Sequence, residues 1–106
     1  MARVSKRLEF LLNVTGAGGA DAFAWYGLAM EYRALERFDD ALVAFQTLRG
    51  QTPDYVPMYL MAGQMLEQMG RAEDALAWLS AGIEAANKKG DSHAASELSA
   101  AREALA

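Results

Sequence analysis

The chain has no cysteine and only one histidine. Thiolate chemistry and disulfide frameworks are therefore excluded, and so are most zinc sites. Proline occurs only at Pro53 and Pro57, which bracket a single point and leave long stretches free to be helical. Val, Ile and Thr are scarce while Ala is abundant, a bias toward helix over strand. No segment approaches the ~18 consecutive apolar residues that a bilayer span needs. An excess of positive charge is also missing. The net charge of −4 argues against nucleic acid or an anionic membrane surface as the main partner. Arg3, Lys6 and Arg7 do precede an apolar stretch, but Glu9 interrupts it before it reaches the length of a secretory signal. A soluble cytoplasmic protein is the expectation.

What remains is 106 residues, 53% of them hydrophobic, enough for a single domain (1–106) with one modest core. Its organisation is repetitive. Ala41 and Ala75 stand 34 residues apart, and the chain around each follows the same plan. Residues 22–55 and 56–89 each give an amphipathic segment, a short polar break, then Asp-Ala-Leu opening a second amphipathic segment. Each unit reads as a helix pair that cannot bury its apolar face alone and must stack on a neighbour.

The elements follow from spacing and caps. Val4, Leu8, Leu11 and Leu12 place one apolar face on a helix over 4–14, which the run Gly16-Ala17-Gly18-Gly19 ends. Asp21 can cap a second helix carrying Trp25, Leu28, Ala29, Tyr32 and Leu35. After a turn at Glu36-Arg37-Phe38, Asp39 and Asp40 open a third, with Ala41, Leu42, Phe45 and Leu48 as its buried stripe. Pro57 suits the first turn of a fourth helix, in which Tyr59, Ala62, Gly63 and Leu66 take the places of Trp25, Leu28, Ala29 and Tyr32. Gly70 ends that helix, and Glu73-Asp74-Ala75-Leu76 opens a fifth that runs toward Lys88 and Lys89. Over 91–105, Ala94, Leu98, Ala101 and Leu105 form one narrow stripe, as in a helix that caps the open end of an array.

These positions resemble the tetratricopeptide repeat, whose first helix favours Trp-x-x-Leu-Gly-x-x-Tyr and whose second favours Ala, an aromatic, Ala and a closing Pro. The first unit carries Trp25, Leu28, Ala29, Tyr32, Ala41, Phe45 and Pro53. It departs at Leu48, where a small residue is usual, and at Glu36, where the turn usually has Gly. The second unit matches at Tyr59, Gly63, Gly70, Ala75 and Gly82, with Asn87 in place of Pro. The resemblance implies an all-α fold: a short α-solenoid of antiparallel helix-turn-helix repeats, with a C-terminal capping helix and an N-terminal half-repeat.

The resemblance also implies a function class. Ligands of this family commonly lie in a concave groove lined by the first helix of each pair. By position that surface would present Phe23, Tyr26, Met30 and Arg33 from the first repeat, and Leu60, Gln64 and Glu67 from the second. Apolar and aromatic anchors with charged contacts at Arg33 and Glu67 suit a protein or peptide segment. The competing reading buries Phe23 and Met30 against the N-terminal helix. The family's carboxylate clamp of Lys, Arg and Asn is not matched, because Tyr26, Met30 and Met61 stand at those places. An acidic chaperone tail is therefore not the expected ligand. Self-association through the repeat ends, giving a homo-oligomer, is the alternative role.

Other features have plainer readings. Met58, Met61, Met65 and Met69 recur at spacings of three, four and four, and are expected in the core. The pairs Asp39-Asp40 and Glu73-Asp74 occupy equivalent helix starts, where negative charge suits the helix dipole. His93 and Glu97 suggest a surface contact, since a metal needs more ligands than they offer with Asp91. The run at Gly16–Gly19 fails the pattern of a phosphate loop. Asn13-Val14-Thr15 fits a glycosylation acceptor only formally. No nucleophile–base pair, metal cluster or cofactor motif points to an enzyme.

Overall fold

The structure is a computed structural model that describes residues 4–105; Met1, Ala2, Arg3 and Ala106 lie outside the described part. It contains six helices among the described residues: α1 (Lys6–Gly16), α2 (Ala22–Ala34), α3 (Phe38–Gln51), α4 (Pro57–Gln68), α5 (Ala72–Lys89) and α6 (Ser92–Leu105). The all-α repeat architecture is as the spacing and the family resemblance implied. By internal contacts the chain divides between Thr52 and Pro53 into two compact units, one holding α1–α3 and the other α4–α6.

In the first unit, α2 packs on both α1 and α3. The N-terminal helix starts at Lys6 because the Ser5 hydroxyl accepts from the Leu8 N–H at 3.0 Å, capping an otherwise orphaned donor. Val4 therefore lies outside the helix and is exposed, and so is Leu12. The buried face is Leu8, Leu11 and Thr15, not the expected Val4, Leu8, Leu11 and Leu12. Thr15 can be buried because its hydroxyl donates to the Leu11 carbonyl at 2.9 Å, so no polar group is stranded. Asp21 caps α2 as its position suggested, accepting from the Ala24 N–H at 2.9 Å.

Helices α2 and α4 end in the same turn. The N–H groups of Glu36 and Arg37 donate to the carbonyls of Arg33 and Tyr32, and those of Gly70 and Arg71 donate to Glu67 and Leu66. This two-bond closure needs a left-handed residue just past the helix. Gly70 supplies it at φ 78°, whereas Glu36 is forced to φ 59°. Phe38 belongs to α3 and not to the turn. At both following helix starts an arginine sits at the cap and reaches forward to the second acid. Arg37 Nη2 lies 2.9 Å from Asp40, and Arg71 Nη2 lies 2.7 Å from Asp74.

In the second unit α5 packs on α4 and α6, and α4 also touches α6. Tyr59, Ala62, Met65 and Leu66 of α4 and Ala75, Trp78, Leu79 and Ala86 of α5 form its core, with Leu98 as the buried residue of α6. The expected α6 stripe is thus narrower, since Ala94, Ala101 and Leu105 are only half-buried. Close approach depends on two glycines. A Cβ at Gly63 would stand 2.6 Å from Leu79 Cδ2, and one at Gly82 would stand 2.5 Å from Tyr59 Cβ. Tyr59 is held as well by its hydroxyl, which donates to the Pro53 carbonyl, and by its ring, which lies 5.9 Å from that of Trp78.

Candidate functional site

Phe23, Tyr26, Met30 and Arg33 follow at spacings of three, four and three, so they share one flank of α2. The buried residues of α2 are Leu28, on the opposite side of the helix, and Ala29, which borders the flank four residues before Arg33. The seam with α1 lies elsewhere again: a Cβ on Gly27 would meet Leu11 at 3.4 Å, and Glu31 accepts from the Ser5 hydroxyl at 2.9 Å and pairs with Arg7 at 3.3 Å. Phe23 is 72% exposed, so it is not buried against the N-terminal helix; Tyr26, Met30 and Arg33 are half-buried.

In the second unit Leu60 is half-buried, while Gln64 and Glu67 are exposed on α4. Gln64 and Glu67 line a cavity of about 190 Å³ together with Gly63, Leu79, Ala101, Ala104 and Leu105. The three α6 residues were not among the expected contacts. Their signal was present in the alternation of first and second helices, which makes α6 a first-type helix in its turn. Its small residues, Ala101 and Ala104, leave the space open.

The methionine series separates by depth. Met58 and Met65 are fully buried, and Met61 and Met69 are half-buried, as suits packing more than an exposed stripe. His93 Nε2 lies 3.3 Å from Glu97 Oε1 on the exposed side of α6. Among the described residues no group of three or more His, Cys, Asp or Glu could hold a metal ion. No helix among them is long and apolar enough to cross a membrane.

A family model described as tetratricopeptide repeat matches residues 32–101. The solution structure of a tetratricopeptide repeat domain protein from Salinibacter ruber is 34% identical, covers 80% of this chain and 86% of its own, and superposes with a TM-score of 0.77. The chain belongs to the tetratricopeptide repeat family. A crystal structure of the Salinibacter ruber domain gives the same identity with a TM-score of 0.75, covering 80% of this chain and 96% of its own. A solution structure of a Bordetella parapertussis protein, at 24% identity, covers 96% of this chain and 89% of its own with a TM-score of 0.81 and shows the fold. No curated protein matches the chain. Tetratricopeptide repeats are helical scaffolds that typically mediate protein interactions and are in general non-catalytic.

The repeat identity separates scaffold from candidate site. Features recurring at 34 residues are structural: Ala41 with Ala75, both fully buried, and the Arg37–Asp40 pair with Arg71–Asp74. At the flank in question the repeats differ, with Tyr26, Met30 and Arg33 standing where the second has Leu60, Gln64 and Glu67.

Proposed function

We propose that this tetratricopeptide repeat protein binds a protein or peptide segment through the Phe23, Tyr26, Met30 and Arg33 flank of α2, and performs no catalysis. The observation that carries the reading is Phe23, an aromatic 72% exposed on the flank it shares with Tyr26, Met30 and Arg33. Aromatic residues and arginine are the types that dominate binding energy at interfaces. Leu60, Gln64 and Glu67 hold the same register on α4 of the other unit, where they form a more polar surface of their own. The ligand of the α2 flank is a segment with apolar anchors and a polar rim. Capture of partners from native cell extract tests this. Tyr26→Ala and Arg33→Ala should each weaken capture while leaving the helical circular dichroism signal intact. Equal capture by both variants removes this flank from consideration.

Self-association is the second reading, favoured by the exposed apolar side chains Val4, Phe10, Leu12, Phe23 and Val43, all in the first unit. Sedimentation over a range of concentrations decides it. A strict monomer up to millimolar concentration rules it out.

A further inference from the structure

The first unit holds a cavity of about 300 Å³ lined by Leu12, Thr15 and Gly16 of α1, Trp25, Leu28 and Tyr32 of α2, and Asp40, Val43 and Ala44 of α3. At 100° per residue, its α2 wall lies about 150° around the helix from the flank of Phe23, Tyr26, Met30 and Arg33. It is therefore a separate site from the one proposed above. Two of its rim residues, Leu12 and Val43, are exposed apolar side chains, the latter at 61%. Thr15 has no proton to offer there, because its hydroxyl already donates to the Leu11 carbonyl.

The second repeat shows what such a space accepts. Ala44 and Trp78 are equivalent at the 34-residue period, and so are Trp25 and Tyr59. In the second unit the Trp78 indole is buried to 7% exposure, with its ring 5.9 Å from Tyr59 and tilted by 50°. In the first unit the same register position is an alanine, and that alanine lines the cavity. The cavity is where an indole would stand had residue 44 followed residue 78. Its α2 wall is aromatic, with Trp25 in place of Tyr59 and with Tyr32, whose ring already carries the Arg37 guanidinium at 4.8 Å.

The mouth has a charge as well. Asp40 lines it and Asp39 precedes it on the same turn, while Arg37 is the cation bound to Asp40. Asp39 is not itself a lining residue, but it stands four before Val43 and so lies one turn away on the face of α3 that Val43 brings to the rim. With Arg37 paired to Asp40, it is the second carboxylate that adds negative charge beside the mouth. The chain's own second tryptophan cannot serve as occupant, since Trp78 is buried in its own unit.

We propose that this cavity is a second docking site, which receives an indole side chain of a partner protein, presented next to a basic residue. The indole replaces the missing equivalent of Trp78, and the neighbouring cation meets Asp39 and Asp40.

The test uses capped dipeptide amides as probes: Trp-Lys, Trp-Glu and Ala-Lys, titrated to millimolar concentration and followed by the Trp25 indole N–H and the methyls of Leu12 and Val43 in NMR spectra. Trp-Lys should give saturable shifts at these groups, Trp-Glu should bind several-fold more weakly, and Ala-Lys should leave them unmoved. Ala44→Trp fills the cavity from within and should abolish the shifts while retaining a cooperative unfolding transition. Val43→Arg, at an exposed position, guards against a misfolded filling variant and should weaken Trp-Lys several-fold. Absence of saturable shifts with Trp-Lys overturns the proposal, as does unchanged binding in well-folded Ala44→Trp or Val43→Arg. Concentration-dependent association of the wild type that Ala44→Trp abolishes would place a second copy in the cavity, and overturns the assignment to a partner.

Discussion

Replacing Gly82 by alanine should destabilise the protein although it removes a glycine from the middle of α5. The usual expectation for Gly→Ala in a helix is a gain of up to about 1 kcal/mol. Here the new Cβ would stand 2.5 Å from Tyr59 Cβ, 2.9 Å from Leu98 Cδ2 and 3.0 Å from Tyr59 Cγ. Non-bonded carbons rest at about 3.5–4.0 Å. The Leu98 methyl can rotate away, but Tyr59 Cβ is fixed to the α4 backbone, and its ring and hydroxyl are pinned by Trp78 and Pro53. Relief therefore requires α4 and α5 to separate by about 1 Å, an overpacking that typically costs about 1–3 kcal/mol. With the full helix gain subtracted, a net loss of up to about 2 kcal/mol is expected. For a chain of this size that corresponds to a fall in Tm of roughly 4–8 °C per kcal/mol. Gly50→Ala is the internal control, since nothing lies within 4 Å of a Cβ built at Gly50 in α3. Thermal and urea unfolding followed by circular dichroism should move the two variants in opposite directions. A Gly82→Ala protein as stable as the wild type would refute the claim that α4, α5 and α6 meet at this point.

Other outcomes follow from the same geometry. Glu36 holds φ 59° in a turn that Gly70 makes without a side chain, and the left-handed conformation costs a non-glycine residue about 1–2 kcal/mol. Offset by the entropy of a freer unfolded chain, Glu36→Gly should stabilise by about 0.5–1 kcal/mol in urea unfolding, and a loss of stability would count against the equivalence of the two turns. Leu98 is the buried residue of α6, so Leu98→Ala should cost about 2–5 kcal/mol and should release amide protection in α6 before the rest of the second unit. Uniform loss of protection across α4–α6 would instead mark one cooperative unit.

The fold was legible because each repeat carries its own evidence: helix periodicity, Asp21 as a cap, Pro57 at a helix start and Gly70 at a helix end. The errors lay where one side chain had to be chosen over its neighbour. Val4 reads as part of an apolar face, but Ser5 bonds to the Leu8 N–H and starts the helix after it. Thr15 reads as polar, but its bond to the Leu11 carbonyl allows it to be buried in the seam that Leu12 leaves. The Arg37–Asp40 and Arg71–Asp74 pairs were visible in principle, because Arg37 and Arg71 are also 34 residues apart. The acids are already accounted for by the helix dipole, so they do not by themselves call for a partner. The cavity at Ala44 was hidden for a different reason. A void is the absence of a side chain, and it becomes visible only when Ala44 is set against Trp78.

A division of labour between recurring and differing positions lies at the centre of this reading. It is tested most directly by grafting the second repeat's residues onto the first. Tyr26→Leu, Met30→Gln and Arg33→Glu together place on α2 the side chains that α4 carries at the same three positions. The triple variant should keep the wild-type circular dichroism spectrum and a cooperative unfolding transition, and it should lose partner capture from native extract. Capture at the wild-type level by the folded triple variant would contradict the assignment of specificity to this flank.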